Sequence, residues 1–273
     1  MEITQTTFNK LDDLPSTIYK YRSWTEDYHK EILKEQIVFM AQPSSFDDPL
    51  DCKLQKRYDL LTGQDIYNKY LEDSKRENPT WTRQQHRKYA RDWSKKSPLR
   101  DSEYIKEFQK THFVEFDKRM GVLSLTANPV IIRMWEEYAE NHQGFCVGFE
   151  PKKMFKHLGG GGKVFYCEQL PVILPFDSIE KEHLTQVFSK EIKWSFEEEY
   201  RTHKFYPHPA TIQDRKINLP KDCYKELIFG AHMSETNREE IILVCKEQNL
   251  DVEFFVEKIN EDNEIKIEKM GRC

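Results

Sequence analysis

The sequence predicts an α+β domain, with a mixed or mostly antiparallel sheet as its core and a helical insertion. Strand-like segments occur near both ends of the chain, whereas residues from about 53 to 120 show little strand alternation. Aromatic residues make up 13% of the 273 residues, which is more core-forming material than a disordered chain contains. We therefore expect one domain over residues 1–273, with the insertion at about 53–120.

The first predicted strand carries two different faces. In Ile18–Arg22, Lys20 and Arg22 lie on one face and Tyr19 and Tyr21 on the other. The run 144–149 is apolar on both faces, so we expect a central strand there. The other predicted strands are 37–41, 121–126, 164–166, 224–230, 252–256 and 265–267.

The predicted helical insertion has a basic middle. Long polar side chains alternate there with aromatic residues such as Trp81, Tyr89 and Trp93. Basic and aromatic residues together could bind nucleic acid, but a solvated helical face with its aromatics turned to the core is the favoured interpretation. The basic residues are Lys75, Arg76, Arg83, Arg87, Lys88, Arg91, Lys95, Lys96 and Arg100.

Charge and cysteine content exclude several classes. The net charge of −5 argues against a basic coat over the whole surface. No apolar run is long enough to cross a membrane and the first residues do not resemble a signal peptide, so we expect a cytoplasmic protein without a membrane partner. The six cysteines are scattered without zinc-ligand spacing, and we expect no metal site from them.

The most unusual stretch is Trp194–Arg201, in which three glutamates lie between aromatic residues and an arginine. If it is a strand, Glu197, Glu199 and Arg201 point to the same face. Neighbouring carboxylates raise each other's pKa, and a nearby arginine lowers it again. The stretch is therefore either an edge strand with a solvated acidic face or part of a site that uses the charges.

Four motifs together resemble the bacterial domain-of-unknown-function family 2971, over nearly the whole chain. One position departs from the family pattern, because Asp47 stands where an asparagine is expected. The family name implies no activity. The motifs are Tyr19-Lys20-Tyr21-Arg22, Phe46-Asp47-Asp48-Pro49-Leu50-Asp51, Met134-Trp135-Glu136-Glu137-Tyr138-Ala139 with His142-x-Gly144, and Trp194-x-x-Glu197-x-Glu199-Tyr200-Arg201.

The order arginine, Ser-x-Thr, Glu-x-Glu is similar to that of the arginine–serine–glutamate class of ADP-ribosyltransferases. This similarity implies an ADP-ribosyltransferase-like sheet, with Glu199 as the catalytic carboxylate and Glu197 orienting or deprotonating the acceptor. Such a carboxylate would stabilise an oxocarbenium-like centre, much as in glycosidases. Arg22 would bind a phosphate or ribose, and Phe39 or Phe46 would stack on nicotinamide. The implied cofactor-binding set is Arg22, Ser124, Thr126, Phe46, Tyr21 and Arg201.

The function implied by this similarity is an NAD-dependent ADP-ribosyltransferase or an NAD glycohydrolase-like enzyme, of the kind found in toxins and phage-defence effectors. NAD would be its substrate and a macromolecule, protein or nucleic acid, its acceptor. The sequence leaves the acceptor and the oligomeric state open.

Two alternatives belong to other classes. Asp47, Asp48 and Asp51 could join Glu197 and Glu199 around Mg²⁺ in a metal-dependent nuclease, with the basic insertion on the phosphate backbone. In a non-enzymatic interaction module, the glutamates and Arg201 would instead form a structural ladder of ion pairs.

Overall fold

The computed structural model describes residues 14–262 and 264–272, of which 271 and 272 are described by their backbone. Its strands are β1 Ile18–Arg22, β2 Ile37–Phe39, β3 Met120–Thr126, β4 Phe145–Phe149, β5 Gly162–Lys163, β6 Phe165–Cys167, β7 Ser189–Glu191, β8 Glu199–Phe205, β9 Lys216–Asn218, β10 Tyr224–Phe229, β11 Glu253–Ile259 and β12 Ile265–Arg272. Its α-helices are α1 Asp27–Lys34, α2 Gly63–Glu77, α3 Arg83–Lys95, α4 Ser102–Arg119, α5 Ile132–Tyr138, α6 Pro151–Leu158, α7 Ile179–Phe188, α8 Ile212–Arg215 and α9 Glu235–Glu247.

The main sheet has eight strands in the order β12-β11-β10-β4-β1-β3-β8-β5. Its neighbours are antiparallel except β10 and β11, which are parallel. The α+β class with a mixed, mostly antiparallel sheet is therefore confirmed. β4 lies inside the sheet between β1 and β10 with all five residues buried, as its apolar sequence predicts.

Apolar side chains cover both faces of the sheet. On one face, β4 residues such as Val147 pack with Leu33 of α1, Phe155 of α6 and Ile241 of α9. On the other face, a smaller cluster joins Tyr19 and Tyr21 of β1 to α5, whose Trp135 is fully buried. The predicted separation of the two faces of β1 is confirmed, because Ile18 packs in the first cluster and Tyr19 and Tyr21 pack in the second.

The segment expected to be helical contains α2, α3 and α4, which together extend from residue 63 to 119. α2 and α3 each begin at a threonine, Thr62 or Thr82, that forms a reciprocal capping box with the third helical residue. A third apolar cluster joins Phe116 of α4 to Phe188 of α7 and Met120 of β3. Of the helices that the structure describes, none has both the length and the apolar composition needed to cross a lipid bilayer.

The sheet is incompletely paired between β1 and β3. These strands share one residue pair, Tyr19 with Thr126, whereas β3 and β8 pair over seven. Beyond that pair, the side chain of Lys20 donates to the Ser124 carbonyl at 2.7 Å. The lysine thereby gives β3 a hydrogen bond that the short ladder does not provide. This interruption of the sheet lies beside the candidate site.

We predict that Gly144→Ala destabilises the fold. A Cβ at Gly144 would lie 2.2 Å from the Arg22 carbonyl oxygen and 2.8 Å from that of Ala139, so backbone would have to move. The expected loss is about 1–3 kcal/mol, as for other overpacked sites, and urea unfolding measures it.

Gly63→Ala is the matched control. Its Cβ would meet only the end of the Arg100 side chain, at 3.3 Å, and it begins α2, where alanine is well tolerated. Equal unfolding midpoints for the two variants would contradict the packing described at Gly144.

Candidate functional site

A cavity of about 280 Å³ lies against β1, β3 and β8. The loop that follows β2 and the 3-10 helix Ile192–Glu197 before β8 complete its wall. Each of the four family-like motifs contributes residues to the lining of the cavity. The third motif does so through Tyr138, and the fourth is the glutamate stretch. Segments far apart in the chain thus meet at one place.

The guanidinium of Arg201 is the centre of a buried ion network. Its side chain is 1% exposed, and it donates to both Glu199 oxygens, at 2.7 and 2.9 Å. It also forms two bonds of 2.7 and 2.6 Å with Asp51 and one of 2.7 Å with the Val187 carbonyl. These bonds use all five donors of the group. Arg201 therefore holds the two carboxylates in place and has no donor left for a ligand.

Lys190 provides the second cation of the network. Its ammonium lies 2.5 Å from Glu197 Oε2, 3.3 Å from Glu199 Oε2 and 3.5 Å from Asp51 Oδ2. Three buried carboxylates thus share two buried cations. Charges removed from water in this way are tolerable only when they are paired and hydrogen-bonded.

The two glutamates differ in pKa. Burial alone would raise the pKa of Glu199, but Arg201, Lys190 and the Ser124 hydroxyl favour its ionised form and lower the pKa to about 2. Burial and the charge of Glu199 raise the pKa of Glu197 above its ordinary value, against the opposing effect of Lys190. One carboxylate is held ionised and the other holds a proton more readily, a division typical of functional sites.

Glu197 is not part of the strand, contrary to the sequence prediction. It ends the 3-10 helix, Glu198 adopts a left-handed φ of 44°, and β8 begins at Glu199. Thr126 stabilises this turn by donating to the Glu197 carbonyl at 2.6 Å, and Asn128 donates to the Glu198 carboxylate at 2.9 Å. The side chains of Glu197 and Glu199 nevertheless meet, because both contact Lys190.

Two further cations line the cavity from β1. Neither Lys20 nor Arg22 forms an ion pair with a carboxylate within residues 14–262 and 264–272. Burial and the charge of Arg22 lower the pKa of Lys20 to about 7. Burial lowers the pKa of Arg22 to about 10, so its guanidinium stays charged at neutral pH. The neighbouring His29 remains neutral, since burial and these two cations lower its pKa to about 4.

Two buried polar atoms of the wall have no hydrogen-bond partner among the described residues: the Asp48 Oδ2 oxygen and the Trp194 indole nitrogen. Several aromatic rings line the same cavity, among them those of Phe46 and Tyr138. Phe46 lies over the Arg201 guanidinium at 5.8 Å, and the Tyr138 hydroxyl donates to Glu197 Oε1 at 3.4 Å. Unpaired buried polar groups are costly unless something else satisfies them.

The structure brings all the predicted catalytic and cofactor-binding residues together at the cavity, which is lined by Glu197, Glu199, Arg22, Ser124, Thr126, Phe46, Tyr21, Arg201 and Phe39. Two of them have their hydroxyl groups engaged with the backbone, since Tyr21 donates to the Asn128 carbonyl and Thr126 to that of Glu197.

Sequence reasoning missed Lys190 and the part that Lys20 plays at the cavity. Lys190 lies two residues after the apolar pair Val187-Phe188, and a lysine close to an apolar pair was the available signal. The nuclease alternative assigns Asp51 to a metal ion, whereas in the structure its carboxylate pairs with Arg201.

The nuclease alternative requires carboxylates that are free to bind a cation. Asp51, Glu197 and Glu199 do converge, but around the Lys190 ammonium, and Asp47 is exposed. In the described part of the chain, no group of three or more His, Cys, Asp or Glu side chains is arranged to hold a metal ion.

A family model described as "Protein of unknown function (DUF2971)" matches residues 134–202. The resemblance to this family is thereby confirmed for about a quarter of the chain, from α5 through the glutamate stretch. No curated protein and no solved structure matches the chain. The similarity to ADP-ribosyltransferases stays a prediction.

We predict that Lys190→Gln destabilises the protein more at about pH 8 than at about pH 5. Without the ammonium, the Glu197 and Glu199 charges repel each other, and protonation of Glu197 relieves this as the pH falls. Removing one partner of a buried ion pair costs about 3–5 kcal/mol. Urea unfolding at the two pH values measures the difference.

The control is Lys193→Gln, since Lys193 is 58% exposed and its ion pair with Glu191 lies outside the network. It should leave the unfolding midpoint nearly unchanged at either pH. In the wild type, the contribution of Glu199 is present above its ordinary pKa of 4.5 and is lost as the pH falls through about 2. If Lys190→Gln lowers the free energy of unfolding by the same amount at both pH values, the described network is contradicted.

Proposed function

We propose that the cavity binds NAD⁺ and that the protein cleaves the nicotinamide–ribose bond, passing ADP-ribose to water or to a macromolecular acceptor. One observation carries the proposal: two cations without carboxylate partners, Lys20 and Arg22, line the same cavity as a carboxylate pair fixed by Lys190 and Arg201. A dinucleotide has the matching parts, an anionic diphosphate and an electron-poor ribosyl carbon.

Lys20 and Arg22 would bind the diphosphate. Cations without a carboxylate partner, placed at a partly buried wall, attract anions strongly because solvent screens them little. The guanidinium adds a planar fork of donors suited to phosphate oxygens. Both residues belong to the motif of β1, so a single short strand supplies the anion-binding cations.

The remaining wall fits a nicotinamide group. The carboxamide carries one donor group and one acceptor, and the wall offers the unpaired Asp48 oxygen and Trp194 nitrogen. The Phe46 and Tyr138 rings provide surfaces on which a pyridinium ring would stack. The cavity volume of about 280 Å³ is at the lower end of the range for ligand pockets, which begins at about 300 Å³. The cavity would therefore enclose one half of a dinucleotide and leave the other half outside.

The two glutamates would have different roles. Glu199 accepts from Arg201 twice, from Lys190 and from Ser124, which uses its accepting capacity. Glu197 accepts from Lys190 on one oxygen and, at 3.4 Å, from Tyr138 on the other, so it retains capacity toward the cavity. We therefore assign Glu197 to the substrate and Glu199 to the positioning of both cations, the reverse of the roles implied by the similarity.

The reaction requires little proton transfer at the leaving group. When the bond between ribose C1′ and the pyridinium nitrogen breaks, its electron pair goes to that nitrogen and nicotinamide departs neutral. The Glu197 carboxylate would stabilise the positive ribosyl carbon. It would then accept the proton of the attacking hydroxyl as the new C1′–O bond forms.

The sheet supports an ADP-ribosyltransferase-like arrangement at the level of strand order. β1, β3 and β8 are consecutive neighbours, and they carry Arg22, Ser124 with Thr126, and Glu199 respectively. Strands that follow one another across a sheet are the simplest way to bring three distant motifs to one cleft. Fold likeness alone assigns no function, so the proposal depends on the charges of the cavity.

We predict that the purified protein releases nicotinamide from NAD⁺ and that Glu197→Gln lowers kcat about a hundredfold or more. Loss of one preorganised charge at the reacting centre typically has this effect. Chromatographic detection of nicotinamide gives the rate, and titration calorimetry with NAD⁺ checks that affinity is retained.

Glu198→Gln is the control, because this neighbouring carboxylate is exposed and bonds only to Asn128 among the described residues. It should keep the wild-type rate. The proposal is wrong if NAD⁺ neither binds nor is consumed by the wild type, or if Glu197→Gln keeps the full rate.

We predict that affinity for ADP-ribose weakens as the pH rises through about 7, because Lys20, whose pKa is lowered to about 7, loses its charge there. Calorimetry at about pH 6 and pH 8 measures this change. Lys20→Met should abolish the pH dependence over this range. Arg22→Met should weaken binding at both pH values and move the dependence to higher pH, because the charge of Arg22 helps to lower the pKa of Lys20. A Lys20→Met protein with an unchanged pH profile would disprove the assignment.

A further inference from the structure

Four basic side chains form a row along one face of α3. Arg83, Arg87, Arg91 and Lys95 follow one another at intervals of four residues, and all four are exposed. Residues four apart lie on the same side of an α-helix. We propose that this row binds the phosphate backbone of nucleic acid, an interaction that is independent of the chemistry proposed for the cavity.

The row has no carboxylate partners. Within the described residues, none of its four cations lies within the 4.0 Å ion-pair distance of an Asp or Glu oxygen. The acidic residues nearby are already engaged. Asp92 pairs with Lys88 at 2.8 Å, and Asp73 on α2 pairs with Lys69 and Arg76. Asp92 is close enough to Arg91 and Lys95 for their charges to help lower its pKa, but its ion pair is with Lys88. Most of the positive charge of the row therefore has no partner in the protein.

The helix holds the row in a fixed geometry. His86, Ala90 and Ser94 are its buried residues, and His86 is hydrogen-bonded to the Ser74 hydroxyl of α2 at 2.8 Å. The capping box at Thr82 fixes the first turn. A cationic surface on an ordered helix loses less conformational entropy on binding than one on a flexible loop.

The aromatic residues of α3 are arranged differently from the basic row. Tyr89 and Trp93 project from the flank opposite the row, and their rings are 5.9 Å apart. Trp81 packs against Tyr89 at 5.8 Å, and Tyr70 against Trp93 at 6.5 Å. Trp93 is 49% exposed but lies away from the row, so the contact proposed for the row is to phosphates and not to stacked bases.

The spacing of the row fits a polyanion. Each step of four residues advances about 6 Å along the helix, so the row spans about 18 Å. Duplex DNA carries one charge per roughly 3.4 Å of axis on each strand, which gives about five phosphates over this length. Contact with phosphates alone predicts binding without base preference, with a strong dependence on salt. The overall charge of −5 does not prevent binding of a polyanion to the row, because the row is a local positive surface.

The test is fluorescence anisotropy with the full chain and a labelled oligonucleotide of random sequence, single-stranded and duplex, over a series of salt concentrations. We expect binding whose log–log salt slope is about −3 to −4 when four cations take part. Arg87→Glu with Arg91→Glu should weaken binding at least tenfold and reduce the slope by about 2. Both residues are exposed, and circular dichroism checks the fold.

The matched control reverses two exposed lysines elsewhere, Lys258→Glu with Lys266→Glu, which are paired across β11 and β12. It changes the net charge by the same amount and should leave binding within a factor of about two of the wild type. The proposal is overturned if no oligonucleotide binds, if the control loses as much as the α3 variant, or if vesicles of anionic lipid bind the row more tightly than either oligonucleotide.

Discussion

The burial of the Arg201 guanidinium is the constraint on which the site depends. A cation at 1% exposure is tolerable only if nearly every donor is satisfied, and two carboxylates and one carbonyl provide this. Asp51, Glu199 and Lys190 are fixed as a consequence. Because Asp51 comes from the loop after β2 and Glu199 from β8, the same interaction joins two distant parts of the chain. The charge network is therefore both a structural link and the base of the cavity.

Charge within the cavity is divided in a way that follows from this constraint. Arg201 and Lys190 form ion pairs with carboxylates, so Lys20 and Arg22 are the cations of the lining that a ligand can contact. Of the two glutamates, Glu197 is the one with accepting capacity remaining. A cationic wall beside a carboxylate suits a phosphorylated substrate whose reacting carbon becomes positive. This correspondence, and not the order of motifs, is the strongest support for NAD⁺.

Local patterns predicted much of the fold and part of the site. Alternation gave the two faces of β1, and the doubly apolar run identified β4 as central. The same rule failed at Glu197, because the left-handed φ of Glu198 separates it from the strand, and no alternation pattern reveals such a turn. Lys190 was missed because its partners come from two separate segments, the loop that contains Asp51 and the glutamate stretch. Their convergence depends on strand order and long-range packing, which a single sequence does not encode in any local period.

The most direct test of the central claim is a carbon-13 NMR titration of the side-chain carboxyl groups in protein labelled at glutamate, with Glu197→Gln and Glu199→Gln for assignment. The account predicts that Glu199 is still ionised at about pH 3, since Arg201 and Lys190 hold its pKa near 2. It predicts that Glu197 titrates above the ordinary value of 4.5. If both groups instead titrate together near that ordinary value, they are equivalent solvated carboxylates. The buried network and the roles assigned to the two glutamates would then be wrong.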